Sequence, residues 1–220
     1  MAVDWDFIAG PDIEGESTHK TGYVPKLGSG FTVGSLDVGQ HSDEDIRTML
    51  QSYANKLDPD NPQGYGNIRS DLRKKLTPYV KEGKVGSVWG KYGSQEGYDM
   101  LAKTEKFIKE DIEYIMAAKR YQVERKLEGK KGWDKLDSRN QTVLASNAWQ
   151  WGTNKQDDGR NRFEELWAVR DDKVKLEKKL KELAREGYTH RRETEAAYVN
   201  PPLSAVQEVL DENNKIGQTR

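Results

Sequence analysis

The pattern of apolar and polar positions changes near residue 41. Before it, short apolar stretches alternate with Gly, Pro and Ser: Tyr23-Val24-Pro25, Gly28-Ser29-Gly30, then Phe31-Thr32-Val33 with Leu36 and Val38. Runs this short, punctuated by turn residues, predict a small hairpin or meander. Beyond residue 41 the apolar positions recur at helical spacing. Ser42 offers a capping box ahead of Asp43-Glu44-Asp45, whose acids suit the positive end of a helix dipole. Ile46, Met49, Leu50, Tyr53, Ala54 and Leu57 then lie on one helix face, and Asp58-Pro59-Asp60-Asn61-Pro62 stops it. Ile68, Leu72, Leu76, Tyr79 and Val80 predict a second helical stretch, bent at Pro78. Glycines 83, 86, 90 and 93 predict a loop. A long helical pattern covers Gly97 to Leu127, as one helix or two meeting near Thr104. Further helices are expected over Ser138–Trp151, Phe163–Val169, Asp171–Arg185 and His190–Val199, with Gly187 and Asn200-Pro201-Pro202 as terminators.

Composition narrows the class. Only 34% of the 220 residues are hydrophobic, but 36 basic and 37 acidic residues nearly cancel, and six Trp and ten Tyr supply core volume. A folded chain is expected rather than a disordered one. With no cysteine, the chain has no disulfide, thiolate metal site or cysteine nucleophile. No apolar run approaches the roughly 20 residues of a membrane helix, so no membrane span is expected. The first residues lack the basic flank and apolar stretch of a signal peptide. Charge is unevenly spread: residues 1–70 carry a net −6 and residues 71–220 a net +5. A basic C-terminal portion favours an anionic polymer. Acids such as Glu177, Glu182 and Glu186 alternate with the bases there, which argues against nucleic acid.

Most catalytic signatures fail. His19, His41 and His190 are far apart and show no metal-ligand spacing. Gly28-Ser29-Gly30 and Gly34 lack the Gly-Lys-Ser/Thr of a phosphate loop, and no G-x-S-x-G elbow exists. Carboxylates remain: Glu14 and Asp37 flank the strand-rich segment, with Thr32 between them. Two carboxyl groups on opposite sides of a sugar bond, one protonated and one ionised, suffice for glycoside hydrolysis. On spacing alone, such a pair is also what an exposed acid and a turn acid look like.

The text around those residues is more specific. Glu14-Gly15, Gly22-Tyr23-Val24-Pro25, Ser29-Gly30-Phe31-Thr32-Val33-Gly34 and Asp37-Val38-Gly39-Gln40 follow in one order. This segment resembles the pesticin-like branch of the phage-type lysozymes, muramidases found as bacteriocin toxin domains, phage endolysins and secreted effectors. Two later segments look like the family more loosely: Leu144 to Gly152, and Arg191-Arg192-Glu193-Thr194-Glu195. The resemblance implies that Glu14, Thr32 and Asp37 are catalytic. Two departures stand: the step from Thr32 to Asp37 is one residue shorter than in the family, and that from Glu14 to Tyr23 is a little longer, with Glu16 nearby as a rival acid.

The expected fold is therefore α+β and mostly helical, a lysozyme-like two-lobed fold. It has a small lobe over residues 1–57 with an antiparallel sheet, a helical lobe over 58–200 and a C-terminal tail over 201–220. The expected activity is hydrolysis of the β-1,4 bond between N-acetylmuramic acid and N-acetylglucosamine in peptidoglycan, without a cofactor. Glu14 is expected to be the general acid and Asp37 the ionised partner, too well solvated or hydrogen-bonded for burial to raise it. Thr32 would hold the attacking water, which implies inversion. The expected setting is a monomer, made without a signal peptide and acting on the wall in the periplasm, as endolysin, effector or toxin domain. An immunity or inhibitor protein is a partner in the latter two cases. The alternative is a non-enzymatic helical adaptor using the 97–127 or 171–186 helices. Trp149 and Trp151, at i and i+2, cannot share one helix face; two core or helix-end tryptophans are expected, with a sugar-lining role for one as the alternative.

Overall fold

A computed structural model describes residues 3–10, 13, 31–60, 70–81, 107–156 and 158–201. These residues are mostly helical, with a small antiparallel sheet, as the α+β expectation has it. They divide into two compact units, one drawn from Met1–Glu14 and Lys126–Arg220, the other from Gly15–Arg125.

In the second unit, strands β1 (Thr32–Val33) and β2 (Leu36–Asp37) pair antiparallel, Thr32 opposite Asp37 and Val33 opposite Leu36. A short 3₁₀ turn, Val38–Gln40, follows and leads into helix α2 (Asp43–Leu57). The cap forms as the sequence predicts. The Ser42 hydroxyl accepts from the Asp45 backbone N–H at 3.1 Å, while Asp45 accepts from the Ser42 N–H at 3.0 Å. Of the expected α2 stripe, Ile46, Met49, Leu50 and Ala54 are buried, but Leu57 at the frayed end is exposed. Helix α3 (Ser70–Leu76) stops where Pro78 enters, and the chain tightens into a 3₁₀ turn, Thr77–Tyr79. Helix α4 (Lys109–Glu128) closes the unit with Ile112, Ile115 and Ala118 inward.

Phe31 sits at the centre of this core, stacked on Tyr79 at 4.1 Å between ring centroids and tilted against Phe107 at 5.9 Å. Ion pairs tie the helices at their ends: Asp43 of α2 with Arg73 of α3, and Lys75 of α3 with Asp111 of α4 at 2.9 Å. The expected loop over glycines 83–93 and the start of the long helical pattern, residues 97–106, lie outside the described residues.

The first unit is built on α5 (Ser138–Trp151), buried along nearly its whole length from Asn140 to Trp149. A helix buried on all faces needs neighbours all round. They include α1 (Trp5–Ala9), α6 (Arg162–Trp167) and, beside α7 (Lys173–Ala184), the helix α8 (Thr189–Val199) that packs on both α5 and α7. The expected helices are all present here, with no boundary moved by more than two residues. The sequence reading groups residues 1–57, whereas α1 packs with the C-terminal helices. Trp5 lies 5.8 Å from Trp149, Phe7 stacks on Tyr198 at 4.0 Å, and the Asp4 N–H donates to the Thr142 hydroxyl at 2.9 Å. Two large aromatic side chains with partners 140 to 190 residues away outweigh proximity along the chain.

Candidate active site

The local sequence dictates a tight hairpin. Only Gly34 and Ser35 separate the two strands, and both adopt positive φ, 54° and 60°. A two-residue turn with both central residues left-handed matches the natural twist of the strands it joins. Glycine at 34 is required on a second count, because a Cβ there would meet the Ile112 carbonyl oxygen and Met116 Cγ at 3.1 Å. The turn is pressed onto α4. Alternation then points Val33 and Leu36 to one face and Thr32 and Asp37 to the other. The Val38 N–H donates to the Phe31 carbonyl at 2.7 Å, closing the hairpin at its open end.

Thr32 and Asp37 are therefore brought together as direct cross-strand partners, a geometry that places Cβ atoms about 4.5–5.5 Å apart. The five-residue step between them is what a two-residue turn requires for direct pairing. Thr32 is buried, and its Oγ1 has no hydrogen-bond partner; Oδ1 of the half-buried Asp37 has none either. Unfilled polar valences of this kind are rare in native structures and mark a place for a water, a ligand or chemistry. Burial pushes the Asp37 carboxyl above its ordinary range. Against that act the Lys119 ammonium and the Gln40 and Gly39 backbone N–H groups. The expectation that solvent and hydrogen bonds spare Asp37 an upward shift is thus corrected: desolvation exceeds both. Glu14 and its rival Glu16 lie outside the described residues, as do Gly22 to Pro25 and Ser29-Gly30.

No family model matches this chain, and no curated protein matches it either. A hydroxyl with one donor and two acceptor sites, beside a carboxyl oxygen that lacks a partner, can hold and deprotonate a water.

Lys119 is absent from the sequence-derived site. It was legible as an anomaly: Ile112, Ile115 and Lys119 occupy one face of α4, so a lysine stands where the periodicity asks for an apolar residue. Its Nζ donates to the Ser35 carbonyl.

The later family-like segments meet in the first unit. Glu195 of α8, fully buried, accepts from Ser146 Oγ of α5 at 2.5 Å, from Arg191 Nε at 3.2 Å and from Arg192. Arg192, also fully buried, donates on to Gln150 and lies 4.3 Å from the Trp151 ring centre. Burial pulls the Arg192 guanidinium down to about 10 despite the Glu195 charge. Trp149 and Trp151 divide as their spacing demands: Trp149 is core against Trp5, and Trp151 is a helix-end ring that meets Tyr188 edge-on at 6.2 Å.

Proposed function

We propose that the protein is a peptidoglycan hydrolase of lysozyme type, a muramidase with the lysozyme-like two-lobed fold. It cleaves the β-1,4 bond between N-acetylmuramic acid and N-acetylglucosamine. One observation carries the reading: Thr32 and Asp37, the residues that the resemblance marks as catalytic, pair across the hairpin, each with a buried oxygen lacking a hydrogen-bond partner. Such a pair suits a water poised for attack on the anomeric carbon. Glu14 is the general acid of this reading, with Glu16 as its rival. A water-holding threonine favours inversion, which needs carboxyl groups about 6.5–9.5 Å apart rather than the ~5–5.5 Å of a retaining pair. The proposed setting is the cell wall, reached by an endolysin, an effector or a toxin domain, with an immunity protein as partner in the last two cases. Among the described residues no helix is long and apolar enough to cross a membrane.

The test is clearing of a purified peptidoglycan suspension. The unaltered chain should clear it, while Glu14→Gln and Asp37→Asn should be nearly inert and Thr32→Ala less impaired. An active Glu14→Gln with an inert Glu16→Gln moves the acid by two residues. Clearing by Glu14→Gln, Glu16→Gln and Asp37→Asn alike removes the reading.

A further inference from the structure

Between the sheet and α4 the hairpin rests on a cation that no motif marks. The Gly34-Ser35 turn is held in left-handed backbone at both positions, a conformation that a serine adopts only at a cost. Ser35 is buried, so its carbonyl oxygen needs a donor away from water. Lys119, reaching from the apolar face of α4, donates to it. The contact at the turn is independently tight, with Gly34 against Ile112, Ile115 and Met116. The turn sets the register, and the register sets Thr32 opposite Asp37.

The same ammonium is the charge from the packed helix that acts on Asp37. Among the described residues, two other carboxylates of this unit are held in ion pairs. Asp111, about two turns earlier on α4, pairs with Lys75 of α3, and Asp43 at the start of α2 pairs with Arg73. Across the ladder Thr32 is neutral, and after β2 the Gly39 and Gln40 amides donate to the Asp37 carboxyl.

We infer that Lys119 is the positioning residue of the candidate site: it anchors the hairpin through the Ser35 carbonyl and supplies the counter-charge that lets Asp37 work as a carboxylate. The assignment rests on the muramidase reading for its catalytic meaning, but the coupling of Lys119 to Asp37 does not. A merely structural lysine would hold the turn and leave the titration of Asp37 alone. Lys119 does both, because its hydrogen bond holds the ammonium at the Ser35 carbonyl, two residues before Asp37 along the hairpin.

The experiment separates the two roles in the full-length chain. Lys119→Gln keeps a donor for the Ser35 carbonyl and removes the charge; Lys119→Arg keeps both. Asp37 is followed by carboxyl-carbon NMR titration in each protein, with no substrate present, and the pH profile of kcat/KM is measured on peptidoglycan. Lys119→Gln should raise the Asp37 midpoint and move the acidic limb of the profile up with it, and Lys119→Arg should restore both. An Asp37 midpoint unmoved in folded Lys119→Gln overturns the assignment of Lys119. An unaltered chain inert on peptidoglycan overturns the muramidase reading, and the titration still decides the coupling. Should Lys119→Gln fail to fold, Lys119→Met is compared with Lys119→Arg by circular dichroism: a folded Lys119→Met overturns the anchoring role, and an unfolded Lys119→Met beside a folded Lys119→Arg supports it.

Discussion

Burial raises the proton affinity of the Asp37 carboxyl, so the folded chain holds that proton more tightly than the unfolded chain does. The sign of the stability effect follows. As pH rises from the ordinary Asp value of 3.8 through the higher folded value, the native state loses stability, because a buried carboxylate is costlier than an exposed one. Asparagine at this position carries no such loss. Asp37→Asn is expected to raise the melting temperature at pH 7 and to leave it near wild type at pH 2, and under the muramidase reading to remove lytic activity. Thermal scans at both pH values check this, and a variant less stable at pH 7 contradicts the desolvation account. Gain of stability on loss of a functional group is the behaviour expected of a strained site. The residue was legible in the sequence, its environment was not. The motif names Asp37, but only the register and the burial of its carboxyl oxygen reverse the expectation about its charge.

The hairpin carries the site, with α4 against its turn and α2 packed in the core beneath it. Gly34 has both a left-handed φ and a crowded Cβ position, whereas Gly132 has φ 89° with nothing within 4 Å. Alanine at 132 should cost only the conformational term, roughly 1–2 kcal/mol. Gly34→Ala should cost more, since the Ile112 carbonyl is backbone and cannot step aside. It should also lower activity by shifting the Thr32–Asp37 register. Denaturant melts of the two variants make the comparison, and equal costs would show that α4 yields. Helix α2 begins beyond the candidate residues and buries Leu50 in the core beneath them. Leu50→Ala is expected to lose about 2–5 kcal/mol while the rate per folded molecule survives. A stable but inactive Leu50→Ala protein would give α2 a part in the chemistry. The short α1 before residue 41 was not predicted, but among the described residues beyond it helix existence was readable because caps and periodicity are local. Helix ends were less so, as exposed Leu57 and the Pro78 turn illustrate.

Over the whole molecule the charge is nearly balanced, yet residues 71–220 hold a net +5. Under the muramidase reading this excess draws the enzyme to an anionic wall over about a Debye length, ~8 Å at physiological ionic strength. Added salt should therefore slow hydrolysis of intact wall more than that of a short neutral glycan. Equal salt dependence on both substrates removes the electrostatic explanation. By itself the sequence determined the described helices after residue 41, the Ser42 cap, the hairpin around Thr32 and Asp37 and the absence of cysteine chemistry. Each of these depends on residues within a few positions of one another. Tertiary structure decided the rest. It took Trp5 to Trp149 and Phe7 to Tyr198, so that α1 joins the C-terminal helices. It closed Arg191, Arg192 and Glu195 around Ser146, and it brought Lys119 to the Ser35 carbonyl across 84 residues. A long polar side chain reads as surface in any one-dimensional pattern. Whether it is desolvated, and by which partner, depends on burial against residues far along the chain, and that is settled only when the core is packed.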